Sequence, residues 1–143
     1  MITYKITENN ITYDVGEDDS GNKYWRLNGE LHRKNGPAVE HNNGTKYWCK
    51  NGFIHRDGGP AVEHTNGDKQ WYQNGLLHRY GAPSVEYASG IKIWHINGYR
   101  HRDDGPAIEY NDGTKEYWYN GKRLENINSN KELKRYIKLL SIS

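Results

Sequence analysis

Four segments of this chain can be written one under another without a gap: "NGELHRKNGPAVEHNNGTKYWCK" (28–50), "NGFIHRDGGPAVEHTNGDKQWYQ" (51–73), "NGLLHRYGAPSVEYASGIKIWHI" (74–96) and "NGYRHRDDGPAIEYNDGTKEYWY" (97–119). Each is 23 residues long. A fixed period of this length makes every unit one small supersecondary element that is stable only when stacked on its neighbours. Before the first copy, "EDDSGNKYW" (17–25) matches only the second half of a unit. After the last, "NGKRLE" from Asn120 puts Leu124 and Glu125 where His-Arg stands elsewhere. The expected layout is a single repeat domain over 1–143: an N-terminal cap with a half repeat (1–27), four full repeats (28–119), and a partial repeat with a C-terminal helix (120–143).

The punctuation of the repeat dictates strands. Asn-Gly recurs at 28, 51, 74, 97 and 120 between short aromatic or apolar runs. Both residues tolerate the positive φ of a type I′ turn, so each Asn-Gly predicts a β-hairpin. Two variable residues and His-Arg follow in extended form. A Gly-Pro step then starts the next strand, where proline needs no donor. A polar turn ending in Gly44, Gly67, Gly90 or Gly113 returns the chain along "K-x-W" or "K-x-Y". The fold class is therefore mainly β, an antiparallel meander or solenoid of hairpin repeats extending one sheet. The third copy moves its glycine to Gly81 and leaves Ala82 before Pro83, which predicts a different turn there.

Leu, Ile, Val and Phe supply 24 of 143 residues, about 17%, low enough to suggest disorder on its own. The net charge is only +2 and the chain carries five Trp and twelve Tyr, whereas disordered chains are poor in aromatics. The core is expected to be aromatic. Val39, Val62, Val85 and Ile108 form one repeated row, and Trp25, Trp48, Trp71, Trp94 and Tyr117 another. In "NSNKELKRYIKLL" (128–140), Leu133, Tyr136, Ile137 and Leu140 follow helical spacing, and Ser129 with Glu132 reads as a capping box. This predicts a short amphipathic helix that caps the sheet.

The lone Cys49 excludes an internal disulfide framework and a cysteine-rich zinc pattern. No apolar leader or membrane-length run is present. The expected setting is cytoplasmic, including the inside of an infected host cell, and a membrane is not the expected partner.

The period, the Asn-Gly turn, the following His and the aromatic strand resemble the MORN-repeat superfamily. The form "HR-x-x-GPA-[VI]-E" is closest to a variant found in bacteriophage, giant-virus and some bacterial proteins. The resemblance implies an elongated β-sheet without catalysis. Arg33, Arg56, Arg79 and Arg102 stand where that family has Gly after the His.

The ladder His32, His55, His78 and His101 suggests ligands, but equivalent positions in stacked strands lie about 10 Å or more apart and do not converge. No metal, cofactor or catalytic residue is expected, and no serine or cysteine recurs beside a histidine to act as nucleophile. Two readings of the ladder stand. In one, each Arg pairs with Glu40, Glu63, Glu86 or Glu109, and Lys46, Lys69, Lys92 and Lys115 pair across the hairpins with the same carboxylates. In the other, these arginines and lysines bind a nucleotide, a nucleic acid or a phosphate headgroup. The positions that differ between copies are candidates for a protein interface: Phe53, Ile54, Leu76, Leu77, Tyr80 and Tyr99. The expected function is a non-enzymatic binding module, of the kind by which a phage- or virus-type accessory protein engages or inhibits a host protein.

Overall fold

The computed structural model describes residues 1–142. The chain is mainly β, an antiparallel meander of hairpins with one short C-terminal helix, α1 (Asn130–Leu140). It divides into two compact units, Met1–Leu76 and Leu77–Ser143, so the boundary falls inside the third repeat.

The first unit opens with three strands, β1 (Ile2–Glu8), β2 (Ile11–Glu17) and β3 (Lys23–Leu27). Asn9 and Asn10 both have positive φ and turn β1 into β2. The N-terminal cap is thus a full hairpin, signalled by an Asn-Asn pair between two extended runs. β3 is followed in the sheet by Val39–Glu40, Lys46–Tyr47 and Val62–Glu63, which pairs in turn with Lys69–Gln70. In the second unit Val85–Glu86, Lys92–Ile93, Ile108–Glu109 and Lys115–Glu116 are arranged likewise.

The Asn-Gly hairpins differ from the expectation of one continuous meander. Cys49–Lys50 pairs with Phe53–Ile54, His95–Ile96 with Tyr99–Arg100, and Trp118–Tyr119 with Lys122–Arg123, each as its own two-stranded ladder. The chain changes ladder at the tryptophan. The Trp48 N–H donates to Ala61 O in the main sheet, while Trp48 O accepts from the His55 N–H of its own hairpin. Each repeat therefore contributes one turn to either ladder. Every Asn-Gly has the geometry expected of it, with φ of 51° and 83° at Asn51 and Gly52. Hairpins stack by backbone bonds such as Gly52 N–H to Leu31 O, 2.9 Å.

Val39, Val62, Val85 and Ile108 are all buried. The aromatic row is less uniform: Trp25, Trp94 and Tyr117 are buried, whereas Trp48 and Trp71 are half-buried. The residue opposite Val39 is Tyr47, not Trp48, so the valine and tryptophan rows are out of step across the strand pair. In the first unit Tyr13, Val15, Trp25, Ala38 and Cys49 form the central cluster, with Tyr13 edge-on to Trp25 at 5.6 Å. In the second, Tyr117, Leu124 and Leu133 bring α1 against the last hairpin. The Ser129 hydroxyl accepts the Glu132 N–H, and the Glu132 carboxylate accepts the N–H of Asn128. Leu133, Tyr136 and Ile137 face inward as the spacing predicts, but Leu140, at the end of the last turn, is exposed.

The third-copy turn is not the exception the sequence suggests. Gly58 and Gly81, at equivalent positions, both have positive φ (82° and 74°), so copies two and three share one geometry. Asn35 and Asp104 at that position are not left-handed, which sets copies one and four apart.

Candidate functional site

Much of the hydrogen-bonding capacity of the His-Arg residues is engaged within the repeat itself. Each imidazole accepts the backbone N–H of the asparagine that opens the next hairpin: His32 from Asn51, His55 from Asn74, His78 from Asn97 and His101 from Asn120. All four donor distances lie between 2.9 and 3.0 Å, and all four end on Nδ1. An acceptor Nδ1 fixes the proton of the neutral ring on Nε2.

Three of the arginines close over the preceding tryptophan. The guanidinium carbon lies 3.5 Å from the Trp25 ring centre for Arg33, 3.9 Å from Trp48 for Arg56, and 4.0 Å from Trp94 for Arg102. One terminal nitrogen donates to the carbonyl of the proline four residues on: Pro37, Pro60, Pro83 and Pro106, at 3.0–3.2 Å. The same nitrogen meets the repeat carboxylate of Glu63, Glu86 or Glu109 at 3.2–3.4 Å and of Glu40 at 3.8 Å. Arg33 also forks onto Glu8 of β1 at 3.1 and 2.9 Å, and this pairing holds the Glu8 carboxyl below its ordinary range. The arginine side chains retain only 14–31% exposure. Gly59 passes beneath this cover; a Cβ there would sit 3.0 Å from the Arg56 guanidinium carbon.

The lysines are exposed but stand in an acidic frame. Lys46 lies directly opposite both Glu40 and Glu63, and Lys92 opposite both Glu86 and Glu109; Lys69 faces Glu63 and Lys115 faces Glu109. The alternating signs stabilise the ladder. The ion pairs of these glutamates run to the arginines, in place of the expected lysine bridges.

The variable positions split by exposure. Phe53 is 58% exposed and Leu76 50% in the first unit, and Tyr80 is 78% and Tyr99 63% in the second. Ile54 packs on the first core and Leu77 is half-buried, so neither presents much surface. Phe53 and Tyr99 lie over Gly75 and Gly121 of the following hairpins, where an added Cβ would meet their rings at 3.2 and 3.0 Å.

One polar pair escaped the repeat-based reading. Ser84 replaces the alanine of Ala38, Ala61 and Ala107, and His95 stands where the first copy has Cys49. The two changes meet in the interior, with Ser84 Oγ and His95 Nδ1 2.8 Å apart and the hydroxyl donating to Ile93 O. Burial and then the Arg100 cation push the His95 imidazole down to about 4. The paired departure from the repeat consensus was the signal. Both residues are buried, so the pair is closed to a substrate. Cys49 is also buried, which raises its thiol to about 11. Among the described residues no three His, Cys, Asp or Glu side chains gather around a common point, and no helix is long and apolar enough to cross a membrane.

No family model matches this chain, and neither does any curated protein or solved structure.

Proposed function

We propose that the chain is a non-enzymatic β-repeat module, MORN-like in its repeat, that binds a protein through the exposed variable side chains of its hairpins. The observation that carries this reading is the division of labour within each repeat. The shared His and Arg are engaged within the repeat itself, while Phe53, Leu76, Tyr80 and Tyr99 face solvent. Exposed aromatic and apolar groups beside a polar surround suit a protein interface. Recognition of nucleotides or nucleic acid through the Arg-Lys stripe has less support, since each cation is framed by carboxylates of the same ladder. The narrower reading, an accessory protein of phage or virus type that inhibits a host protein, rests on the repeat resemblance alone.

The test compares proteins retained from lysate by the wild-type chain and by Phe53→Ser/Leu76→Ser. A partner that binds wild type and is lost with the folded double variant supports the proposal. A partner retained equally by both, or nucleic acid retained in a salt-sensitive way, contradicts it.

A further inference from the structure

The repeat builds the same groove twice, once in each unit, and gives the two copies opposite charge. In the first unit a groove of about 560 Å³ runs between the His-Arg loops of the first two copies, with Trp48 in its floor. In the second unit the equivalent groove, between the third and fourth copies over Trp94, measures about 210 Å³. Lys34 and Lys50 of the first correspond to Tyr80 and Ile96 of the second. The floor arginines are spent in both, on tryptophan, proline carbonyl and glutamate. The remaining charges are Lys34 and Lys50 against Asp57 in the first groove, one net positive, and Asp103 in the second, one net negative, since Asp104 is bonded to Arg102 Nε at 2.8 Å.

We infer that the first-unit groove receives an acidic peptide segment of a protein partner. Lys34 and Lys50 are exposed at its walls. The His32 ring, whose Nδ1 is occupied by the Asn51 N–H, carries its proton on Nε2 and adds a neutral donor. Ammonium groups are flexible point charges, suited to carboxylates at variable spacing along an extended chain. A phosphate dianion is gripped best by a free guanidinium fork; the Nε–Nη2 edge of Arg33 is taken by Glu8, and Arg56 is drawn by Nη1 onto Pro60 O and Glu63. The inference deepens the protein-binding proposal and names the chemistry of the partner, but it rests on residues other than the exposed apolar ones.

The experiment titrates the full chain with a fluorescein-labelled peptide of about ten alternating glycines and glutamates, against a glycine-glutamine control, at low salt. Wild type is expected to bind one acidic peptide and to ignore the control. Lys34→Tyr/Lys50→Ile, which installs the second-unit residues, should weaken binding at least about tenfold. The reciprocal Tyr80→Lys/Ile96→Lys/Asp104→Gly should create a second site, so that two peptides bind per chain. This gain decides the matter even where the loss variant folds poorly. No peptide binding, equal binding of the control, an unaffected Lys34/Lys50 variant, or a transplant still binding one peptide would each overturn the inference. So would inorganic phosphate binding more tightly than the peptide, which would mark a small-anion site. A partner that depends on Phe53 but not on Lys34 and Lys50 would remove the groove and leave the protein-binding proposal standing.

Discussion

His55 Nδ1 accepts the backbone N–H of Asn74 at 3.0 Å, so a side chain of one repeat completes the turn of the next. The same bond recurs at His32, His78 and His101. It gives the histidine that follows every full-repeat hairpin a structural role. It also links stability to coupling between neighbouring repeats, as stacked repeats require.

Removing one such acceptor leaves a half-covered donor. His55→Ala should cost about 1–2 kcal/mol and speed hydrogen exchange at the Asn74 amide. His55→Asn, whose side-chain oxygen can approach the same N–H, should recover part of the protection. Unchanged Asn74 exchange in His55→Ala would show that the bond contributes nothing in solution.

The tryptophans should differ in what they contribute. Trp25 is enclosed by Tyr13, the core of the first unit and the Arg33 guanidinium. Trp25→Ala should cost about 3–5 kcal/mol through lost burial and the cavity left behind. The half-buried Trp48 should cost less, and denaturant midpoints of the two variants compare them directly. Equal losses would mean that the Arg56 cover seals Trp48 as fully as the core seals Trp25.

Acid should weaken the fold before its carboxylates are protonated. Burial holds the His101 imidazole below its ordinary value, with Asp103 partly opposing, and His95 is held lower still, at about 4. A depressed histidine favours folding in its neutral form. Its contribution is complete above the unfolded value near 6.5 and is lost as pH falls from there towards 4. For His95 the loss is of order 3 kcal/mol by linkage. Ser84→Ala/His95→Cys, which installs the Ala38/Cys49 combination of the first copy, should flatten the melting profile over that window. A profile as steep as wild type would place the acid sensitivity elsewhere.

The period and the turns were legible because Asn-Gly demands one backbone geometry wherever it falls, and Ser129 with Glu132 marked the helix start for the same local reason. The valine row followed from register. Which ladder each hairpin joins did not, because the switch at Trp48 depends on Ala61 of the next repeat. The Arg33–Glu8 fork was hidden by the 25 positions that separate its partners. Exposure of the variable positions could be judged only once the hairpins stood apart from the main sheet. Phe53 and Ile54 are neighbours, yet one faces solvent and the other the core.

Melting Arg56→Ala beside Phe53→Ser separates the residues that build the repeat from those left to recognise a partner. Arg56 covers Trp48, caps Pro60 O and neutralises Glu63. Its loss should lower the melting temperature by several degrees, with any loss of binding tracking unfolding. Phe53→Ser should melt within a degree or two of wild type, as surface changes usually do, yet lose partner binding. An Arg56→Ala protein that melts like wild type but no longer binds would contradict this account.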